Sequence, residues 1–234
     1  MALTDEQIEI RLTQADGLLR ECMEALAIRA RPTPVQPAPS PAPAPGLVTP
    51  PMAWGAKVSQ TFRDRIRWIC RAPGEGLFPY PDAETDLMTC IAWESGRSFS
   101  ASVPNKAGSG AVGLIQFMPK TAREQLGTTT AALARMTAED QLNYVYKYFR
   151  SWGPDAQHPT GEIQSLGDMY MAILWPAGVG KPDDWVLWDK DERPTTFRQN
   201  AGLDLNRDGE ITKAECLDKL RAMRAEGLRP GNVG

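Results

Sequence analysis

The chain has 234 residues, of which 42% are hydrophobic and 24% charged, which is enough apolar material for one sizeable core. Its formal net charge is -3 and its basic residues form only short clusters, so we expect no nucleic-acid partner. There is no run of about 18 apolar residues, and the first residues, MALTDEQIEIRL, are acidic and amphipathic. We therefore expect neither a membrane span nor a signal peptide, and synthesis in a cytoplasm.

Residues 4–30 carry the pattern of an amphipathic helix. Thr4 and Gln7 fit a capping box at its start. Apolar residues then alternate at spacings of four and three: Ile8, Leu12, Ala15, Leu19, Cys22 and Leu26. Because a lone helix of three heptads is marginal in water, we expect it to dock onto itself, another subunit or a partner, or to fold back on the main domain.

The next segment, residues 31–51, has proline at almost every second position. Such a sequence favours an extended polyproline II conformation, reaching roughly 60 Å at about 3.1 Å per residue. It predicts a spacer between the helix and the main domain. A ligand for an SH3-type domain is the alternative interpretation.

From residue 52 onward, dense helical periodicity predicts a mainly α domain over residues 52–200. The helical segments, separated by Gly or Pro, are 58–71, 83–95, 119–127, 138–152, 162–176 and 211–228. No β-hairpin pattern is evident.

Cysteine and histidine usage narrows the possible chemistry. The four cysteines, Cys22, Cys70, Cys90 and Cys216, are widely spaced, and we expect free, mostly buried thiols. The single histidine, His158, lies in a loop-like AQHPT stretch, which argues against a histidine-rich zinc site and against a Ser/His/Asp triad.

Glu94 is the candidate catalytic residue. Leu87, Cys90, Ile91 and Glu94 share one helical face, so the carboxyl lies on the side that enters the core. Desolvation would raise its pKa and keep it protonated near neutral pH, as the general acid of glycosidic cleavage requires. The alternative is a helix-end glutamate that turns out to solvent.

Several motifs that follow resemble those of the soluble lytic transglycosylase and goose-type lysozyme superfamily. They are Glu94-Ser95 and GAVGLIQFMPKTA at 110–122, similar to the family's Glu-Ser, Gly-Leu-Met-Gln and Met-Pro-x-Thr-Ala motifs, with Ile115 in place of Met. AEDQLNYVYKYF resembles the family's downstream helix, and the resemblance covers about residues 58–190. It implies a lysozyme-like helical fold that acts on peptidoglycan glycan strands.

The family's Ala-Tyr-Asn-Ala-Gly motif departs from its usual form here. It falls at LWPAGVGKP, where Trp175 and Pro176 replace Tyr and Asn while Ala177 and Gly178 are retained. This form resembles the branch found in phage and prophage wall-degrading proteins, which implies action on the peptidoglycan layer during lysis or as a virion component.

The resemblance implies that Glu94 acts alone. It would protonate the glycosidic oxygen and then take the proton from the 6-hydroxyl of the sugar, leaving a 1,6-anhydromuramoyl end. Goose-type lysozymes have an Asp where this chain has Met118, which favours the transglycosylase over a hydrolytic muramidase. A second carboxylate for a hydrolase would have to come from elsewhere, and the candidates are Asp82, Glu84, Asp86 and Asp168.

The resemblance also assigns substrate-binding residues. Gln116 would line the cleft, Ser95 and Ser109 would bond to Glu94 or the sugar, Met118 and Tyr144 would form the floor, and Trp175 would stack on a sugar ring. The remaining aromatics of the downstream helix are predicted to be core: Tyr146, Tyr148, Phe149 and Trp152.

Residues 204–215, DLNRDGEITKAE, match an EF-hand calcium loop at every position. The predicted ligands are Asp204, Asn206, Asp208, the backbone carbonyl of Glu210, Thr212 and the bidentate Glu215. The entering helix is short and interrupted near Pro194, so residues 201–234 are predicted to form one unpaired EF-hand-like loop and helix. We expect a structural Ca²⁺ and no organic cofactor.

Three functions are compatible with these patterns. The leading one is a lytic transglycosylase, and the second is a muramidase on the same fold. The third is a non-catalytic module that binds glycan or docks a larger particle.

Overall fold

The computed structural model describes residues 50–78, 80–152 and 163–234. All of them belong to one compact unit, residues 48–234. The predictions for residues 4–30, for 31–49 of the spacer and for His158 lie outside the described residues.

The described residues are mainly helical, as expected for a mainly α class. Eight α-helices occur: α1 Gln60–Arg71, α2 Ala83–Glu94, α3 Pro119–Glu124, α4 Thr130–Leu133, α5 Ala138–Phe149, α6 Leu166–Leu174, α7 Pro194–Asn200 and α8 Lys213–Gly227. Two strands, β1 Val186–Asp189 and β2 Glu210–Thr212, and four 3₁₀ turns complete the described structure.

Side-chain caps explain where four of the longer helices begin. Ser59, Thr137, Ser165 and Thr212 each accept a hydrogen bond from the backbone N–H three residues later. Such a cap satisfies one of the free amides of the first turn and typically contributes about 1 kcal/mol.

Helix α2 lies at the centre of the core. It is apolar around most of its circumference, which is typical of a helix buried on all sides. Leu87, Cys90 and Ile91, three members of the face predicted from their spacing, are 0% exposed. The fourth member, Glu94, is the last residue of the helix.

Helix α8 packs along α2, so the segment 201–234 shares the core of the main domain. Arg224 on α8 binds Asp86 and Asp82 at the start of α2, each at 3.0 Å. Trp54 donates from Nε1 to the carbonyl of Met223 at 3.2 Å. The predicted domain 52–200 and the segment 201–234 thus lie within the same compact unit.

A small antiparallel sheet is the element that the sequence did not predict. Trp188 of β1 pairs with Ile211 of β2, with a register irregularity between Val186 and Trp188.

The helix that enters the loop 204–215 was expected to be interrupted near Pro194. Pro194 is instead the first residue of α7, where a missing N–H costs nothing.

The structure also bears on the predictions for the cysteines and for a membrane span. Cys70, Cys90 and Cys216 are free and buried. Among the described helices, none combines the length and the apolar character needed to cross a membrane.

Candidate functional site

Glu94 ends α2 at the wall of a cleft. Its side chain is half-buried and lines that cleft, while protein atoms surround its carboxyl closely. Burial raises the pKa of Glu94 from 4.5 to about 8. The carboxyl also lies at a helix C-terminus, where the negative end of the helix dipole disfavours an anion. Glu94 is therefore predominantly protonated at neutral pH and able to donate a proton.

Two tyrosines form the buried surroundings of this carboxyl. Tyr170 accepts a hydrogen bond from Trp93 Nε1 at 3.0 Å, and Tyr148 donates to the carbonyl of Ala172 at 2.5 Å. Burial first, and then the Glu94 carboxylate, raise the pKa of Tyr148 to about 12 and that of Tyr170 well above its ordinary value. Both phenols therefore stay neutral and place no negative charge beside Glu94.

The cleft in front of Glu94 has a volume of about 480 Å³. It lies between the end of α2 and the loop 98–116. Its lining residues are Trp93, Glu94, Ser95, Gly96, Ser98, Val103, Pro104, Asn105, Lys106 and Gln116. Among these lining residues Glu94 is the only carboxylate and Lys106 the only cation.

Gln116 forms the far wall of the cleft. Its backbone is left-handed, with φ 52°, an unusual conformation for a residue with a side chain. Its amide accepts a hydrogen bond from Asn105 Nδ2 and donates to the carbonyls of Val103 and Gly113, each at 3.2 Å. These bonds hold the two sides of the loop 103–116 together beside the cleft.

A buried glutamine, Gln141 on α5, supports the same loop from behind. It is 0% exposed, accepts from Leu114 N at 2.7 Å and donates to the carbonyls of Ala101 and Leu133, each at 3.0 Å. Gly113 lies against this amide with φ +86°, and a Cβ there would overlap it. The loop therefore requires glycine at 113, both for backbone conformation and for space.

Two of the predicted substrate residues line the cleft, and four do not. Ser95 and Gln116 line it, although the Ser95 hydroxyl donates to the carbonyl of Ile91 and accepts from Phe99 N. Ser109 is exposed and accepts from Ala111 N. Met118, predicted for the floor, is 46% exposed at the start of α3.

The two predicted aromatic contacts also lie away from the lining residues. Tyr144 is half-buried on α5, with the Lys147 ammonium 4.9 Å from its ring centroid. Trp175 packs edge-on against Trp188 at 5.5 Å between ring centroids, and the Arg193 guanidinium lies 5.5 Å from its ring.

Carboxylates that a hydrolase would need do not line this cleft. Asp86 lies eight residues before Glu94 on α2, which places it about 12 Å away along the helix axis. Asp82 and Glu84 lie still farther back, and Asp168 is bound to Lys213. None of the four is thus available at the cleft as a partner for Glu94.

The sequence did not single out several residues of this site. Asn105 and Lys106 enter the cleft from a Ser- and Gly-rich loop without a regular pattern. Tyr148 was predicted to be core, but its pKa responds to Glu94.

The second candidate site is the loop 204–215, which folds around its own side-chain oxygens. Asp204 accepts from Arg207 N at 2.7 Å and from Gly209 N at 3.2 Å. Glu215 reaches both ends of the loop, accepting from Leu205 N through one oxygen and from Thr212 N through the other, each at 2.9 Å. Burial alone would raise the pKa of Glu215, but these hydrogen bonds outweigh it and lower the pKa.

The donor set of this loop is chemically suited to a hard cation. Side-chain oxygens of Asp204, Asn206, Asp208 and Glu215 and the carbonyl of Glu210 are the ligand types that Ca²⁺ prefers. In the geometry described, however, no group of three or more His, Cys, Asp or Glu side chains in the described ranges is clustered tightly enough to hold a metal. Asn206 Nδ2 instead donates to Asp208 at 2.8 Å.

The loop is attached to the main domain at its far end. Strand β2 lies within the loop and pairs with β1, which precedes the loop in the chain. Lys213, the tenth residue of the loop, is 3% exposed and binds Asp168 at 2.9 Å and the carbonyl of Lys181 at 2.7 Å.

Comparisons with protein-family models, with curated proteins and with solved structures found no match to this chain.

Proposed function

We propose that this protein is a peptidoglycan lytic transglycosylase of a phage or prophage type. It cleaves the β-1,4 bond between N-acetylmuramic acid and N-acetylglucosamine and leaves 1,6-anhydromuramic acid ends. It acts at host lysis or as a virion component that opens the wall locally. The observation that carries the proposal is a single carboxyl, Glu94, whose burial raises its pKa, in a cleft whose lining residues include no other carboxylate.

The reaction needs no second protein carboxylate. Glu94 gives its proton to the glycosidic oxygen, and the N-acetyl carbonyl oxygen of the substrate bonds to C1 as the bond to the leaving sugar breaks. The Glu94 carboxylate then takes the proton of the 6-hydroxyl while O6 bonds to C1 and displaces the N-acetyl oxygen. No water is consumed, and Glu94 ends the cycle protonated, consistent with a pKa of about 8.

A muramidase is less well supported by the cleft. A retaining hydrolase places its two carboxyl groups about 5–5.5 Å apart and an inverting one about 6.5–9.5 Å apart. Within the described residues, the four candidates for the second carboxylate are either about 12 Å or more from Glu94 along α2, or bound to Lys213.

Mass spectrometry of the soluble fragments released from purified peptidoglycan tests the proposal, with Glu94→Gln as the control. We expect fragments with 1,6-anhydromuramic acid ends from the wild type and none from the variant. Fragments heavier by one water, with reducing ends, would identify a muramidase. Absence of fragments from the wild type would favour a module that binds glycan or docks a particle without cleaving it.

We further propose that residues 204–215 bind one structural Ca²⁺. The ion would be held by Asp204, Asn206, Asp208, Glu215 and the Glu210 carbonyl, with Thr212 at the ninth loop position, and it would draw the three carboxylates together. A hard oxygen donor at each ligand position of the loop supports Ca²⁺ as the ligand.

Thermal melting with excess Ca²⁺ and with a chelator tests the calcium proposal. At a free Ca²⁺ concentration of about 100 times Kd we expect about 2.7 kcal/mol of added stability. Glu215→Gln should remove the difference, whereas Asp218→Asn, on the exposed face of α8, should retain it. A calcium response that survives Glu215→Gln would reject the ligand assignment.

Residues 4–30 are proposed to dock the enzyme to a particle or to associate with a second copy. Light scattering on the full chain and on residues 52–234 tests for self-association. A larger assembly for the full chain alone would support self-association, and two monomers would leave docking to a particle or folding back.

A further inference from the structure

The turn directly after Glu94 has an unusual backbone. Gly96, Arg97 and Phe99 have φ of 59°, 66° and 51°. Glycine adopts this left-handed conformation freely, but a residue with a Cβ does so only against steric resistance. Two such residues within three positions require the surrounding structure to hold them, and backbone of this kind concentrates at functional sites.

Phe99 is held by packing. It is 6% exposed and lies against Trp54 and Phe62, with ring centroids 6.3 and 6.2 Å away. Its amide donates to Ser95 Oγ at 3.1 Å. The apolar core thus explains the conformation at this position.

Arg97 is exposed, so packing does not explain its conformation. Its guanidinium instead binds the Glu226 carboxylate on α8 through two hydrogen bonds, Nε to Oε1 at 3.0 Å and Nη2 to Oε2 at 2.6 Å. The same guanidinium lies 5.8 Å from the centroid of Trp54. A two-point contact of this kind fixes the orientation of the group as well as its distance.

The turn that this contact holds is part of the cleft. Ser95, Gly96 and Ser98 line it, on either side of Arg97, while the Arg97 side chain points away to α8. A shift of the Arg97 backbone would therefore move the cleft wall beside Glu94.

We propose that Arg97 and Glu226 are positioning residues for the reaction at Glu94: their paired contact holds the left-handed turn 95–99 and thereby the cleft wall that orients the glycan. This inference rests on the proposed function of the cleft. It assigns a role in the active site to the last turn of α8, which lies 129 residues from Arg97 in the sequence.

An exposed ion pair contributes little to global stability. If the Arg97–Glu226 pair had only a structural role, its removal should therefore change neither the thermal stability nor kcat appreciably. A positioning role predicts that kcat falls while KM and thermal stability change little, because small displacements of an orienting wall reduce the rate of the chemical step. The two roles are therefore separable by kinetics.

The test uses full-length Glu226→Gln, Arg97→Ala and Arg97→Gly, with soluble glycan strands from peptidoglycan as substrate. We expect Glu226→Gln to lower kcat about three- to tenfold with KM within about twofold. Arg97→Ala should lower kcat at least as much as Glu226→Gln does. Arg97→Gly should lower kcat less than Arg97→Ala, because glycine adopts the left-handed conformation without steric resistance. The double variant Arg97→Ala, Glu226→Gln should be no slower than Arg97→Ala alone, since both changes break one contact. The matched control is Asp218→Asn, which removes another exposed ion pair of α8 and should leave kcat unchanged.

Unchanged kcat in both Glu226→Gln and Arg97→Ala would overturn the inference, and so would equal kcat for Arg97→Ala and Arg97→Gly.

If the wild type releases no fragments, the proposed function fails, and amide hydrogen exchange then tests the Arg97–Glu226 contact separately. Arg97 N donates to the Ala92 carbonyl at 2.7 Å and Ser98 N to the Ser95 carbonyl at 3.2 Å. Faster exchange of these amides in Glu226→Gln than in Asp218→Asn is expected, and equal exchange would show that the contact does not hold the turn.

Discussion

Replacing Glu94 by glutamine should stabilise the protein at alkaline pH while removing its activity. The folded protein binds the Glu94 proton more tightly than the unfolded chain does, because burial raises the pKa from 4.5 to about 8. Between these two pH values the folded state therefore loses stability as pH rises, and above about pH 8 the full destabilisation is present. Glutamine keeps the shape of the protonated acid and carries no charge at any pH.

The magnitude follows from the pKa. At 1.36 kcal/mol per pH unit, a pKa raised from 4.5 to about 8 corresponds to a destabilisation of at most about 5 kcal/mol above pH 8. The cleft admits solvent to one side of the carboxyl, so we expect about 2–5 kcal/mol. At about 2–4 °C per kcal/mol for a domain of this size, the variant should melt about 4–20 °C higher than the wild type at pH 9.

The assay is thermal unfolding of both proteins between pH 4 and pH 9, with release of peptidoglycan fragments measured in parallel. The two melting temperatures should converge near pH 4 and separate as pH rises. Activity of the variant should fall by about 10²–10⁴-fold, the usual contribution of a general acid. A melting difference that does not change with pH would refute the buried, protonated Glu94, whatever the activity shows.

Two further predictions concern the residues that hold the site in place. Lys213→Met leaves the Asp168 carboxylate without its buried partner and should destabilise the fold by about 3–5 kcal/mol in urea unfolding, whereas Lys213→Met combined with Asp168→Leu should recover part of that loss. A double variant as unstable as the single one would contradict this account. Gly113→Ala should lower stability by at least about 1 kcal/mol, since it imposes a left-handed alanine and an overlap with Gln141, while Gly108→Ala, with open space around its Cβ, should cost less in the same thermal melts.

Helix α8 connects the proposed calcium loop to the cleft. The loop leads directly into α8, and the last turn of α8 binds Arg97 beside the cleft. If Ca²⁺ orders the start of α8, its effect should be transmitted through a helix that already packs along α2. This places the proposed metal site and the proposed active site in one cooperative unit.

Much of the helical structure could be predicted from the sequence because it depends on local patterns. The spacing of Leu87, Cys90 and Ile91 indicated the buried face of α2, and each of the long helices falls within a segment predicted from apolar periodicity. The position of Glu94 on that face also followed from the 3.6-residue repeat, and it led to the hypothesis of a raised pKa.

Contacts between distant segments could not be predicted in this way. The sheet depends on pairing of Trp188 with Ile211, and a strand of four residues has too little periodicity to reveal its partner. Likewise Lys213, a polar residue in a helical pattern, is buried only because Asp168 and the turn 178–181 come to surround it.

The cleft itself is a product of tertiary structure. The sequence identified one acid and one amide of the site, Glu94 and Gln116, because both belong to local motifs. It did not identify the tyrosines behind Glu94, or the Arg97–Glu226 contact, because these side chains come from helices far apart in the chain. Local periodicity determines which residues are buried, but the raised pKa and the shape of the cleft depend on which distant groups surround the carboxyl, and folding alone brings those groups together.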